Sequence, residues 1–244
     1  MTTVEEIRDY WDEDAATYDD SPHHRPTSAV VRASWTAALA RLLPPSPASV
    51  LDCGAGTGFL SLIAARLGHR VTALDLSPRM LERLRHAAAA DGLAVEAVVG
   101  PADEPPSGTF DAVMERHLLW TLPEPAGALE AWRAVAPAGR LVLMESVWGA
   151  VDPVERWRAR ARNELHRLRG GAPHHHADYD EQLRRTLPLG TGTPPGRLVD
   201  LAAAACWANP RVERLRDIEW AERQELTPVE RLLGVAPRLA VSAD

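Results

Sequence analysis

Lysine is absent from this 244-residue chain, and all 27 basic residues are arginine. A lysine nucleophile or Schiff base is therefore excluded. Alanine and proline are abundant and asparagine is scarce, which reads as coding bias in a GC-rich genome and not as a functional device. Cysteine occurs only twice, at Cys53 and Cys206. Two thiols make no disulfide framework, and they do not stand at metal-ligand spacing. No window approaches the ~18 consecutive apolar residues of a membrane helix. The N-terminal stretch MTTVEEIRDYWDED is acidic and has no apolar run, unlike a secretory leader. A cytoplasmic protein without a membrane partner is the expectation. A positive balance is missing as well, since the net charge is −7. Proteins that wrap nucleic acid usually carry a basic stripe, so nucleic acid is not an expected partner.

What is present is an ordinary globular mixture, 45% hydrophobic and 25% charged. The length suits one α/β domain with added elements. Residues 1–47 read as a helical N-terminal segment, from Val4 to about Tyr18 and from Ser28 to Leu43, closed by Pro44, Pro45 and Pro47. Residues 48–149 then alternate strand and helix. Ser49–Cys53, Arg70–Leu74, Ala94–Val99, Phe110–Met114 and Arg140–Val147 read as strands. Phe59–Leu67, the segment from Ser77 to about Ala90 and Pro125–Val135 read as helices. That rhythm predicts an α/β, Rossmann-like, doubly wound and mostly parallel sheet. Residues 150–195 break it with an arginine-rich helix, Val154–Arg169, between loops. They read as an insertion after the fifth strand that covers one sheet edge. Residues 196–244 complete the sheet, with a helix at Leu198–Ala205 and candidate strands at Arg211–Trp220 and Arg238–Ser242, the latter as an antiparallel edge or insert.

The sharpest motif is Val50-Leu51-Asp52-Cys53-Gly54-Ala55-Gly56-Thr57-Gly58, a strand meeting a glycine cluster that opens a helix. Glycines there let backbone approach a ligand closely, at the strand end where nucleotide cofactors bind. Dinucleotide sites use G-x-G-x-x-G. Here the glycines are Gly54, Gly56 and Gly58, and Phe59 stands where a third glycine would fall. Asp52 would repel a pyrophosphate and would suit the α-ammonium of an amino acid. That favours S-adenosylmethionine over NAD. Asp75 ends the second strand, 17 residues after Gly58, where an acid accepts both ribose hydroxyls of an adenosine.

With VLDCGAGTG, VTALDLSPRML, FDAVMERHLLWTLPEP and APAGRLVLMES, the chain resembles the class I S-adenosylmethionine-dependent methyltransferases over roughly residues 10–148 and the final strands. The resemblance implies cofactor contacts at Asp52, Gly54, Ala55, Gly56, Gly58, Asp75, Leu76, Ala102, Asp103 and Glu115. Pro101 stands where an acid for the adenine is commonest, so Asp103 or the Ala102 backbone would take that contact. Pro137 and Gly139 match the family's turn before strand five. Glu115, Arg116 and His117 lie where the family lines its methyl-transfer site, and S-adenosylhomocysteine would be the product.

Methyl transfer needs a nucleophile held in line and often a base. His117 or His24 could be that base, and Glu115 ends a strand expected to be buried on both sides. Tyr10, Trp11 and Tyr18 resemble the N-terminal lid of small-molecule methyltransferases, with Tyr18 reaching over the cofactor. Trp120, Trp148 and Trp157 are candidate substrate contacts, and Arg156, Arg160 and Tyr179 lie in the insertion. ERHLLWTLPEP looks like the corresponding stretch of methyltransferases from actinobacterial secondary metabolism, whose acceptors include amines, hydroxyls and an indole carbon. A small-molecule, natural-product acceptor is the leading expectation, for a monomer or homodimer. The alternatives are an RNA or protein substrate, and a non-catalytic subunit that holds the cofactor. No metal is expected, because three consecutive histidines, His174 to His176, cannot easily converge on one ion.

Overall fold

The computed structural model describes residues 3–21, 24–26, 28–146, 153–168 and 181–244. Seven strands form one sheet: β1 (Ser49–Cys53), β2 (Arg70–Asp75), β3 (Val95–Val99), β4 (Ala112–Arg116), β5 (Arg140–Ser146), β6 (Arg211–Arg214) and β7 (Arg238–Ala243). Their order is β3-β2-β1-β4-β5-β7-β6. The first five run parallel. β7 lies antiparallel between β5 and β6, so it is an insert and not an edge. The helices are α1 (Thr3–Asp14), α2 (Ala29–Leu42), α3 (Phe59–Arg66), α4 (Pro78–Ala90), α5 (Pro125–Val135), α6 (Pro153–Leu168), α7 (Glu181–Thr186), α8 (Pro195–Ala204), α9 (Arg216–Gln224) and α10 (Pro228–Leu233).

Strand alternation divides the core into two layers. Leu51, Val113, Leu141, Leu143 and Val241 pack with Leu129, Trp132 and Leu198 on the face of α5 and α8. Val50, Met114, Val142 and Ala240 pack with Trp35, Leu39, Ile63 and Ile218 on the face of α2, α3 and α9. Because both faces are covered, the central strands read as apolar runs instead of alternating ones.

Several boundaries move. The N-terminal helix stops at Asp14, and Tyr18–Asp20 forms a separate 3-10 turn. The fourth strand runs from Ala112 to Arg116, two residues later than the apolar run suggests. The expected strand Arg211–Trp220 ends at Arg214, and α9 follows. Leu215, Ile218 and Ala221 are buried at helical spacing, whereas Trp220 is exposed. Helix α10 was not anticipated, although Thr227 and Glu230 form a capping box around Pro228. Helix α6 meets α10, where Arg162 donates to the Leu233 carbonyl at 3.1 Å. The boundary at 149/150 lies outside the described residues, as do Trp148, Tyr179 and His174 to His176. No helix among the described residues is long and apolar enough to cross a membrane.

Candidate active site

The carboxyl ends of β1, β2 and β4 open on a cavity of about 260 Å3. Its walls come from the loop after β3 (Gly100 to Asp103), from Thr121 to Glu124, and from three further places. The glycine loop and β2 contribute Gly54, Gly56, Asp75, Leu76 and Met80; the end of β4 contributes Arg116, His117 and Leu118; the N-terminal segment contributes Val4, Ile7, Trp11 and Tyr18.

The glycine loop is shaped by steric need. Gly54 and Gly58 have φ of 63° and 90°, the left-handed region. A Cβ on Gly54 would stand 2.7 Å from Leu118 Cδ1, and one on Gly58 would stand 2.6 Å from Leu84 Cγ. Gly54 brings bare backbone to the cavity wall. Gly58 is not on that wall, and its bareness lets α3 pack against α4. Ala55 is buried and also lies off the wall, its N–H donating to the Leu74 carbonyl at 3.1 Å.

Asp75 is the acid that faces the cavity. Its Oδ2 accepts from Gly56 N at 2.7 Å and its Oδ1 from Ser77 N at 2.8 Å. Each oxygen keeps a further lone pair for a ligand hydroxyl. Burial pushes this carboxyl up to about 6. Leu76, Met80 and Ala102 form the adjoining apolar wall, with Asp103 at its margin. The Trp132 indole donates to the Ala102 carbonyl at 2.7 Å and fixes that turn.

Asp52 turns out otherwise than expected. Alternation along β1 sends its side chain to the α3 face, where Ser61 Oγ donates to it at 2.5 Å, and it does not line the cavity. Burial raises this carboxyl to about 7. A ligand ammonium is therefore not met by Asp52 in this arrangement.

Several contacts latch the N-terminal segment, among them Arg83 Nη1 donating to the Ala16 carbonyl at 3.1 Å. Asp12 accepts from Ser77 Oγ and from Arg79 N, which docks α1 on the start of α4. Asp19 accepts from Thr57 Oγ1 at 2.6 Å and pairs with Arg25 at 3.0 Å, which ties the 3-10 turn to the glycine loop. Tyr18 is thereby held beside Gly56. Its ring stacks on His24 at 3.9 Å between centroids, and burial raises the phenol to about 12. His24 is buried off the cavity wall, with Nδ1 2.7 Å from the Tyr18 carbonyl. Tyr10 packs edge-on against Trp11 and is likewise absent from the wall.

At the end of β4, consecutive side chains go to opposite faces, so Glu115 and Arg116 are not a pair. Arg116 lies over Phe59 and Trp35, with its Cζ 4.4 and 5.2 Å from the ring centroids. Glu115 lies on the other face, fully buried, and its Oε2 accepts from Leu118 N at 2.8 Å. Burial raises its carboxyl, and it shapes the loop without reaching the cavity wall. His117 does reach the wall, at a φ of 59°. Its Nδ1 is 3.0 Å from Glu145 Oε2 and its Nε2 is 3.1 Å from Ser146 Oγ. Trp120 is buried in the α5 layer instead of facing the cavity; Thr121 and Leu122 take that place. Trp157 is 63% exposed on α6, and Arg156 and Arg160 are exposed on the same helix. None of these three lines the cavity.

Sequence reasoning missed Glu145, although the signal was available: an acid in an otherwise apolar buried strand, the same sign that marked Glu115. The contacts of Asp12 and Asp19 had no local signal, because their partners lie 65 and 38 residues away. Among the described residues, no cluster of three or more His, Cys, Asp or Glu side chains could hold a metal ion.

The chain matches the family model described as a methyltransferase domain over residues 51–143. It is 31% identical over 210 residues to an uncharacterized methyltransferase of Mycobacterium bovis, covering 82% of this chain and 79% of that protein. It is 36% identical over 105 residues to the ubiquinone biosynthesis O-methyltransferase of Xanthomonas axonopodis, covering 41% of this chain but only 44% of the relative. Among solved structures, magnesium protoporphyrin IX methyltransferase from Synechocystis, determined with bound S-adenosylhomocysteine, superposes with a TM-score of 0.61 at 14% identity, covering 98% of both chains.

Proposed function

The chain belongs to the methyltransferase family, and on that premise we propose that it moves a methyl group from S-adenosylmethionine to a small-molecule acceptor carrying a removable proton. The observation that carries this reading is the cavity between the glycine loop, Asp75 and the latched N-terminal segment. The residues present suit that cofactor. Asp75 offers lone pairs to two ribose hydroxyls, Leu76, Met80 and Ala102 offer an apolar slot beside it, and Gly54 and Gly56 leave room at the loop.

When bound, S-adenosylmethionine supplies an electrophilic methyl on a cationic sulfur, and its transfer leaves S-adenosylhomocysteine and releases the acceptor's proton. Tyr18 and Trp11 form the wall of the cavity on the side of the N-terminal segment. His117 is the ring on the cavity wall able to take the proton. His24 and Glu115 lie off that wall, which favours His117 over them. The relatives named above act on small molecules where their names state a substrate, and this supports the same class here. A natural-product acceptor is the finer reading, resting on the resemblance of ERHLLWTLPEP.

Calorimetric titration with S-adenosylhomocysteine tests the cofactor, and a labelled-methyl assay across phenols, amines, total RNA and protein tests the acceptor. Binding, together with transfer to a small molecule, supports the proposal. Transfer only to RNA or protein overturns the acceptor class, and failure to bind overturns the whole reading.

A further inference from the structure

We infer that helix α6 is an interfacial helix whose outward face seats on an anionic lipid surface, lying on the membrane and not crossing it.

The helix is turned inside out. An ordinary surface helix buries an apolar stripe and shows its charges to water. In α6 the inward residues are polar. Glu155 is buried, Arg162 pairs with it at 2.6 Å, and Arg162 also donates to the Leu233 carbonyl at the end of α10. The apolar residues stand on another side. Val154, Trp157, Ala161, Leu165 and Leu168 follow at steps of three, four, four and three, which sets them in one stripe along the helix. Val154 is 57% exposed, Trp157 63% and Leu168 78%, while Ala161 and Leu165 are half-buried. On α10, against which α6 packs, Leu232 is also exposed, at 81%.

Arginine borders the stripe on both margins. Arg156, Arg160 and Arg167 form an exposed row on one side, at steps of four and seven. Arg158 is exposed on the other side, next to Val154 and 3.9 Å from Glu155. Glu164, between the row and the stripe, is paired with Arg167 at 3.7 Å. The sixteen residues of α6 hold five arginines and two glutamates, a local positive excess in a chain whose net charge is −7.

That charge pattern selects the occupant. A second copy seated on this face would set arginine against arginine, since both margins are basic, and like charges across an interface are costly. Nucleic acid would take the arginines and leave the stripe in water. An anionic bilayer takes both. Its phosphates meet the guanidiniums, and the stripe enters the boundary between headgroups and acyl chains. The long arginine stems lie along apolar surface while their heads stay with the phosphates. Tryptophan suits that depth, with an apolar ring and a polar N–H. The expectation of no membrane partner rested on the lack of a spanning segment, and a helix that lies on the surface needs none.

The experiment is co-sedimentation of the full chain with vesicles of phosphatidylcholine alone and of equal parts phosphatidylcholine and phosphatidylglycerol. The wild type should bind the mixed vesicles, bind the neutral ones at least about tenfold more weakly, and leave the mixed ones as salt is raised. Arg156→Gln, Arg160→Gln and Arg167→Gln combined should weaken binding to the mixed vesicles at least about tenfold. Trp157→Ser should weaken it at least about threefold. Bromine on the acyl chains should quench tryptophan fluorescence in the wild type and less so in Trp157→Phe. Tm should be unchanged in these variants, because the side chains are exposed. Absence of binding to the mixed vesicles overturns the inference, as does binding that is equal on both vesicle types or indifferent to Trp157→Ser. A wild-type dimer that Trp157→Ser dissociates, without vesicle binding, overturns it in favour of a second copy. Binding of transfer RNA that the arginine variant loses, without vesicle binding, overturns it in favour of nucleic acid. These readouts stand apart from cofactor binding and from His117.

Discussion

The two halves of the cavity hold their acids differently. On the β1–β2 side, Asp75 spends one lone pair of each oxygen on a backbone N–H. On the β4–β5 side, Glu115 and Glu145 are buried close together on neighbouring strands, each carboxyl pushed up by burial, beside one imidazole and one guanidinium. Register puts Glu115 opposite Leu143, so Glu145 lies two residues further along on the same face. The first arrangement is settled before a ligand arrives and suits recognition of neutral hydroxyls. The second carries two acids out of water, where burial is the largest influence on their protonation. On the proposed function, ligand recognition and proton transfer would thus fall to opposite sides of the cavity at the carboxyl ends of the strands.

Substitutions can break that division, from the largest effect to the smallest. Gly58→Ala adds left-handed strain of about 1–2 kcal/mol and a clash with Leu84 that costs about 1–3 kcal/mol. A lowered Tm, with loss of cofactor binding, is the expected result. His117→Asn should lower kcat by about a hundredfold and leave S-adenosylhomocysteine affinity within about twofold; a large affinity change would show that the halves are not separate. Asp75→Ala should weaken that affinity at least about tenfold, or 1.4 kcal/mol, because it removes the ligand acceptors and also frees Gly56 N. In the wild type, affinity should fall as pH drops through about 6, since the raised Asp75 carboxyl gains its proton there and ceases to be a full acceptor. Calorimetry at several pH values reads this. Asp19→Ala removes a partly exposed latch worth up to about 1 kcal/mol. It should weaken product affinity about threefold and speed proteolysis of the N-terminal segment. Trp157→Ala, on the outer face of α6, should change KM by less than about twofold and stability by less than about 0.5 kcal/mol. A larger effect would bring the insertion back to the site.

The two halves also differ in how legible they were in the sequence. The glycine loop and Asp75 were readable because backbone geometry demands glycine locally and one strand end follows another at short range. The mostly parallel sheet was readable for the same reason. Which face of β1 Asp52 takes was not legible, because its motif position says nothing about it; burial next to Ser61 decided that. The site around His117 needed contacts between β4, β5 and β7, up to 92 residues apart. Arg238 sits in a short apolar strand that announces sheet completion and nothing more. Trp120 and Trp157 look alike as composition, yet one is core and the other solvent-facing, which only packing could separate.

The placement of β7 between β5 and β6 bears on the order in which the molecule can assemble. The strand pairs with β5 across about a hundred residues of chain, the kind of distant contact that slows folding. The cofactor half can close as soon as β1 to β4 exist, but Arg238 reaches Ser146 only when β7 slots in. A nascent or partly unfolded chain would thus form the glycine-loop side of the cavity before the surroundings of His117 are complete.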